Sequence, residues 1–442
     1  MRHTSPDRLG PAALAAFSLP MVVFQTIELA WRVYLPSFFA TTLGLSLGAA
    51  GAVLMAARLF DSAIDPLIGW ASDRFPTRYG HRRPWLAIGA PLVTIGAGGV
   101  FFDWPWSNPA LLFAACLLLH LGYMMMVTPH GGWALELGRD ATERLRIIGA
   151  KTWFAIAGMI AVVLMPALLE RGFAVGRTGQ VAALGLTVML LAPLAAALAL
   201  RLVAEPALPV ERRGELANPL RLFAQILRSR DLRPVLLLYL FAGFSDAAIG
   251  ASFLFFVEQA LGLAGWGSTL LLAQSAIPLV TLPLWSRLAP RIGAHRLLRL
   301  AYCWQVALTP LALLLPPGAL MPLALFLVAR NLFFGVDYLL LRTMVAEVTR
   351  SAAQTGLRHS ASCYSMSNIT LKLAMGLGAW LALEAIGSTS VHGPLSATMR
   401  LVYSTPPILC GLAALAVLGW PRGSRTRRTW PPRQQQALTA EP

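Results

Sequence analysis

The sequence predicts an all-α membrane protein of about twelve transmembrane helices in two bundles of six. Three observations carry that prediction. Apolar stretches of roughly 20 residues recur from Pro11 to Leu418 with short polar interruptions. The connections between them alternate between rich and poor in Lys and Arg. One long polar connection, beginning "AEPALPVERRGEL" at Ala204, divides the series in half.

Composition fits the same class: 57% of the 442 residues are hydrophobic, 13% are charged, and the mean hydropathy is +0.63. Water-soluble chains are not built this way. The expected spans are 12–40, 46–73, 84–103, 109–136, 149–169, 180–203, 233–259, 266–287, 296–316, 320–347, 362–386 and 398–420. The first follows a polar leader, "MRHTSPDRLG", but its apolar run is too long for a signal peptide. This divides the chain into a first bundle at 1–203, a middle loop at 204–232, a second bundle at 233–420 and a disordered tail at 421–442.

The formal charge of +16 raises the question of nucleic acid. Its distribution answers it. Arg74, Arg78, Arg82 and Arg83 fill one connection; Arg139, Arg144, Arg146 and Lys151 the next but one; then come Arg212 to Arg233 and Arg287 to Arg299. Connections near 41–45, 104–108, 260–265 and 317–319 hold no Lys or Arg, and the one near 170–179 holds Arg171 and Arg177. This is the positive-inside pattern, which places both termini in the cytoplasm of a multi-pass inner-membrane protein whose arginines face lipid rather than nucleic acid. Cys116, Cys303, Cys363 and Cys410 all fall in spans without metal-ligand spacing, so no disulfide, metal or cofactor is expected.

Enzyme motifs fare no better. "GLSLG" at 44–48 fits a hydrolase elbow but sits in a short loop between membrane helices, and "NIT" at 368–370 lies inside a span where glycosylation is impossible. No Walker motif supplies ATP. Each half instead carries a basic turn after its second span, "SDRFPTRYGHRRP" at 72–84 and "SRLAPRIGAHR" at 286–296. Repeated halves with a midplane site between them are the usual plan of secondary transporters.

The stretch "FDSAIDPLIGW" on the second span carries the chemistry. Arg58, Asp61 and Asp65 stand at i, i+3 and i+7, sharing one helix face. A charge at the bilayer centre costs roughly 2.5 to 3.5 kcal/mol on insertion scales, so this face is expected to look into a hydrated central chamber. Either the two carboxylates exchange a proton or small cation there, or Arg58 neutralises one as a structural pair. Asp73, further along, caps or latches the turn that follows.

These residues resemble a family. "RLFDSAIDPLIGWASDRFPTRYGHRRPW" is similar to the D-x-x-x-D-P-x-x-G signature and basic loop of the glycoside-pentoside-hexuronide:cation symporters, the melibiose-carrier group of the major facilitator superfamily. "TPHGGWALELGRDATERLRIIGAK" at 128–151 resembles the fourth-helix exit, with Pro129, Glu136 and Arg144 in place. "SNITLKLAMGLGAW" at 367–380 puts Lys372 where these symporters carry a lysine on the eleventh helix.

The resemblance implies a major facilitator fold with Asp61 and Asp65 as the site of the coupling ion, H+ or Na+. Lys372 would lie opposite them, near Arg58; a lysine snorkelling toward the interface is the alternative. It also implies a latch on the cytoplasmic side from Arg74, Arg78, Arg82 and Arg83, with Glu136, Arg144 and Lys151 beside it. Two departures stand out. Where melibiose carriers keep acidic sugar ligands on the first and fourth helices, this chain has Gln25 and Val127, next to Thr128. Lys151 replaces an arginine.

The first helix instead offers "QTIELAWR", with Gln25, Glu28 and Arg32 within a third of its circumference. Two readings stand: an internal Glu28–Arg32 pair, or a face for a polar or anionic solute. Further candidates to line the cavity are Asp246 and Glu258 on the seventh span, Arg330, Asn331 and Asp337 on the tenth, and Asn368. Trp133, with Trp31, Trp304 and Tyr364, is placed to stack on a sugar ring or to pack the core; His120 and His130 read as satisfied bundle residues. The expected function is cation-coupled symport of a small polar solute such as a glycoside by a monomeric carrier. The alternatives are an exporter or flippase of a lipid-like or drug-like amphiphile, and a non-transporting membrane receptor.

Overall fold

The computed structural model describes residues 8–74, 77–104, 108–137, 141–205, 232–354, 360–389 and 395–419. The described residues are helical apart from short connections, with one isolated bridge between Thr77 and Gly80. In chain order the helices are α1 (Pro11–Thr41), α2 (Leu47–Arg74), α3 (Arg83–Val100), α4 (Pro109–Leu137), α5 (Ala141–Gly172) and α6 (Arg177–Leu202). The second half holds α7 (Arg233–Ala260), α8 (Gly267–Ile292), α9 (Ala294–Leu308 and Thr309–Leu313), α10 (Leu320–Arg330 and Val336–Gln354), α11 (Ser360–Thr389) and α12 (Leu395–Gly419).

Among the described residues, ten helices are long and apolar enough to cross a membrane. Shorter α3 and α9 complete the expected series. Apolar composition alone explains the preference for helix, because lipid offers no partner to a free backbone N–H or C=O. Proline opens α1, α3 and α7, at positions where its missing N–H costs nothing. The middle loop expected at 204–232 lies largely outside the described residues, and the tail at 421–442 lies wholly outside them.

Three helices depart from the expected spans for identifiable reasons. α5 starts at Ala141 rather than near 149, because "TERLRIIGAK" extends the helix with a Glu143–Arg146 pair at i, i+3. α1 carries a wide π turn at Ala30–Tyr34, which re-aims Trp31 and Arg32. α10 is broken: a 3-10 turn at Asn331–Phe333 is followed by Gly335 at φ 81°, a conformation that favours glycine.

Packing sorts the helices into two bundles. α3 packs on α4 and α6, α1 on α5 and α2 on α4; in the second bundle α7 packs on α11 and α12, and α9 on α12. Between bundles α2 meets α11, α5 meets α8 and α1 meets α7. The α2–α11 approach is close enough that a Cβ at Gly51 would stand 3.0 Å from the Trp380 backbone. Apolar side chains of both bundles share one core, and a smaller cluster of Phe17, Leu86, Trp133 and Ile147 sits near the basic turn.

Candidate functional site

Charged side chains gather where α1, α2, α4, α7 and α11 converge. On α1, Glu28 accepts both arms of the Arg58 guanidinium, from Nη2 at 2.8 Å and Nη1 at 3.3 Å, and the Tyr123 hydroxyl at 3.0 Å. Arg58 is buried, so this fork is shielded from solvent on its α2 side. One turn on, Arg32 crosses to the other bundle and holds Asp246 at 2.7 Å; the Tyr338 hydroxyl donates to the same carboxylate at 3.3 Å. The reading of Glu28 and Arg32 as an internal pair is corrected, because both side chains bond to other helices.

The acidic couple of α2 is split. Asp61 is fully buried, its Oδ1 2.9 Å from His120 Nδ1 and its Oδ2 3.5 Å from Arg58 Nη1. The Trp31 ring closes over His120, with centroids 4.3 Å apart. Asp65, by contrast, accepts Lys372 Nζ at 2.9 Å and the Thr128 hydroxyl, and keeps 29% of its side chain exposed. The expectation of two carboxylates facing one chamber is therefore corrected. A single helical turn rotates successive i, i+4 residues by about 40° and lifts them about 6 Å, enough to wall one off behind α4 while the other reaches the bundle interface.

Four carboxylates, Glu28, Asp61, Asp65 and Asp246, thus meet three fixed cations, Arg32, Arg58 and Lys372. One further positive charge would balance the set, which a protonated His120 on Asp61 or an arriving ion would each supply. Two of the pairs, Arg32–Asp246 and Asp65–Lys372, join the two bundles. Lys372 is a partner rather than a snorkelling lysine.

Other expected solute contacts are distributed unevenly. Thr128 serves Asp65, and Asp246 serves Arg32. Gln25 and Asn368 are half-buried with no hydrogen-bond partner among the described residues. Trp133 is corrected: it is fully buried, edge-on to Phe17, as part of the packed cluster near the basic turn.

The basic turn is tied to its own bundle. Arg82 holds Glu136 at 2.6 Å and the Ser72 hydroxyl at 2.6 Å, and Arg83 reaches the Leu200 carbonyl. Glu205 accepts the backbone N–H of His81 at 2.7 Å and Arg82 at 2.9 Å, capping the start of α3. Lys151 approaches the His130 carbonyl at 3.5 Å, and Arg78 is exposed over the Tyr79 ring. Asp73, Arg74 and Arg144 lie on helices, with side chains outside the described residues. The contacts just named for this turn stay within the first bundle.

Contacts between the bundles also gather at the opposite face. Glu170 of α5 accepts the N–H groups of Ser268 at 3.3 Å and Thr269 at 2.9 Å, and the Thr269 hydroxyl at 3.0 Å, capping α8 of the other bundle. Gln180 accepts Ser268 Oγ at 2.7 Å, Arg177 pairs with Glu258, and Arg171 lies over the Trp266 ring at 3.1 Å. The sequence reading assigned no role to Glu170, Arg171, Arg177 or Gln180. A signal existed: Arg171 and Arg177 were the exceptions in an otherwise Arg-free set of loops. His120, expected as a satisfied bundle residue, finds its partner in Asp61, as a polar ring inside "CLLLHLGY" must.

Comparison with known proteins agrees with this architecture. A family profile described as MFS/sugar transport protein matches residues 16–419. The uncharacterized symporter YnaJ of Bacillus subtilis (strain 168) is 29% identical over 33% of this chain, which spans 32% of that protein's length. The glucuronide carrier protein homolog of Escherichia coli (strain K12) is 24% identical over 86% of this chain and 82% of its own. The nucleoside transporter NupG shares the fold, with a TM-score of 0.70 at 15% identity over 93% of this chain and 100% of that one.

Proposed function

The chain belongs to the MFS/sugar transport protein family, a group of membrane transporters without enzymatic activity, and from that premise we propose symport of a small polar solute with one cation. The observation that carries this reading is the charge set at the bundle interface, four carboxylates against three cations, tied across the seam by Asp65–Lys372 and Arg32–Asp246. A proton or Na+ arriving at Asp65 competes with Lys372 for the same carboxylate. Once Lys372 is released, one of the two central ion pairs joining the bundles is gone, and the seam is free to rearrange. Asp61, enclosed by Arg58 and His120, holds the α2 face in register rather than meeting the arriving ion.

Positive-inside logic places the basic turn in the cytoplasm. On that assignment the bundles are closed at the outer face by Glu170, Gln180 and Arg177. The solute then leaves toward the side of the basic turn.

Uptake into proteoliposomes under an imposed H+ or Na+ gradient tests the reading. Asp65→Asn is expected to reduce gradient-driven accumulation to the level of protein-free vesicles while the protein remains folded. Asp61→Asn takes the carboxylate from His120 and weakens one side of Arg58, which keeps Glu28, so it is expected to lower stability by roughly 1 to 3 kcal/mol. Full uptake with unchanged cation dependence in Asp65→Asn would defeat the assignment.

A further inference from the structure

A cavity inside the second bundle lies beside the charge set just described and shares Asp246 with it. Asp246 of α7, Tyr302, Trp304 and Gln305 of α9, and Arg330 and Asp337 of α10 line it. Two of these ionisable residues have no described counter-ion. Asp337 accepts the N–H of Tyr338 at 2.9 Å, and no described cation lies within ion-pair distance. Its charged neighbour is a second carboxylate, Asp246, already held by Arg32. Arg330 has no described carboxylate partner: its Nε is buried without a hydrogen bond, and its guanidinium lies 5.6 Å from the centre of the Tyr403 ring. The Tyr302 hydroxyl on the same wall is also buried and unpartnered.

An unpaired charge at this depth is expensive, and two opposite ones within reach of each other would pair. No such pair is described here, and the break in α10 lies between the two residues. Arg330 ends the first segment, Asp337 lies in the first turn of the second, and the 3-10 turn with Gly335 between them sets the two side chains at separate places on the wall. Interrupted helices at a midplane cavity are where transporters of this kind hold their solutes.

We propose that this cavity binds a small zwitterion, with its ammonium group at Asp337 and its carboxylate at Arg330. Gln305 and the Tyr302 hydroxyl supply neutral hydrogen bonds, and Trp304 provides an apolar wall. A neutral hydroxylated solute would hydrogen-bond to both charges yet leave each uncompensated; a singly charged one would balance one and strand the other. The inference rests on the transport reading above and names the solute class for it. Asp246 connects the two: it borders the cavity and also anchors Arg32, so a positive group at Asp337 acts on the pair that joins the bundles.

Counterflow in proteoliposomes of the full chain tests this, using labelled glycine, β-alanine and γ-aminobutyrate against glucuronate, ethylamine and melibiose. At least one of the zwitterions is expected to exchange faster than all three comparison solutes. Arg330→Gln and Asp337→Asn are each expected to slow that exchange about tenfold to a hundredfold, the range of a lost charge-assisted bond. Their selectivity should move in opposite directions, Arg330→Gln toward ethylamine and Asp337→Asn toward glucuronate, a readout that mere loss of folding cannot produce. Arg330→Lys should restore part of the exchange. Exchange of melibiose or glucuronate alone, unaffected by Arg330→Gln, would overturn the zwitterion site and leave the transporter reading standing. Accumulation insensitive to Asp65→Asn would sink the coupling scheme instead, whichever solute is carried.

Discussion

The two faces of the molecule are held together by different kinds of contact. At the face of the basic turn, Arg82–Glu136, Arg83–Leu200 and the Glu205 cap bind parts of the first bundle to one another. On the far side, Glu170, Gln180 and Arg177 bind the first bundle to the second. The first kind of contact shapes a bundle and the second sets the angle between bundles. Whether a charged residue bears on the angle between the bundles depends on whether its partner belongs to the other one.

The largest test of that contrast is Glu170→Gln. Its carboxylate is buried and satisfies the amides of Ser268 and Thr269 in the first turn of α8, so its loss is expected to cost about 1.5 to 3 kcal/mol. Because that energy bears on the closed arrangement, it should appear as a shift of roughly tenfold or more toward the state open at this face. Accessibility of a cysteine placed at Ala247, on the central seam, to a membrane-impermeant thiol reagent measures it. Unchanged labelling would show that the face is held by something else.

Glu205→Gln is the matched change at the other face. It weakens a helix cap within one bundle, so thermal stability should fall by about 1 kcal/mol with no change in labelling at position 247. A shift in labelling would erase the distinction between the faces. The smallest effect belongs to Glu143, near the start of α5. The Arg146 guanidinium, at 2.8 Å, and the Leu9 N–H, at 3.2 Å, hold its carboxyl below the usual carboxylate range. A lowered value means its stabilising share is complete above the ordinary carboxylate range and disappears as acid takes the pH down through the lowered one. Since Arg146 is partly exposed, that share is no more than about 1 kcal/mol. Hydrogen exchange at Leu9 should quicken over that acidic window in the natural chain and be fast at every pH in Glu143→Gln.

Much of the site could be named before any coordinates. Asp65 and Lys372 were legible because an aspartate or lysine in an apolar span has few fates, and the D-x-x-x-D-P signature narrowed them further. Trp133 misled because an aromatic ring looks the same in sequence whether it faces a solute or a core. The break in α10 escaped because "NLFFGVD" is apolar enough to read as continuous helix, and one glycine does not reveal that it holds φ 81°.

Sequence by itself determined the number of spans, the alternation of basic loops and the presence of an acidic couple with a distant lysine, because each depends on local length, hydropathy or spacing. Tertiary structure alone decided which charge meets which. Asp65 and Lys372 are 307 residues apart, Arg32 and Asp246 are 214, and their pairing depends on how far each helix is rotated and how deeply it sits. The same rotation hid Asp61 behind His120 and left Asp65 at the seam. Rotation and depth are properties of the packed bundles, and no short stretch of chain encodes them.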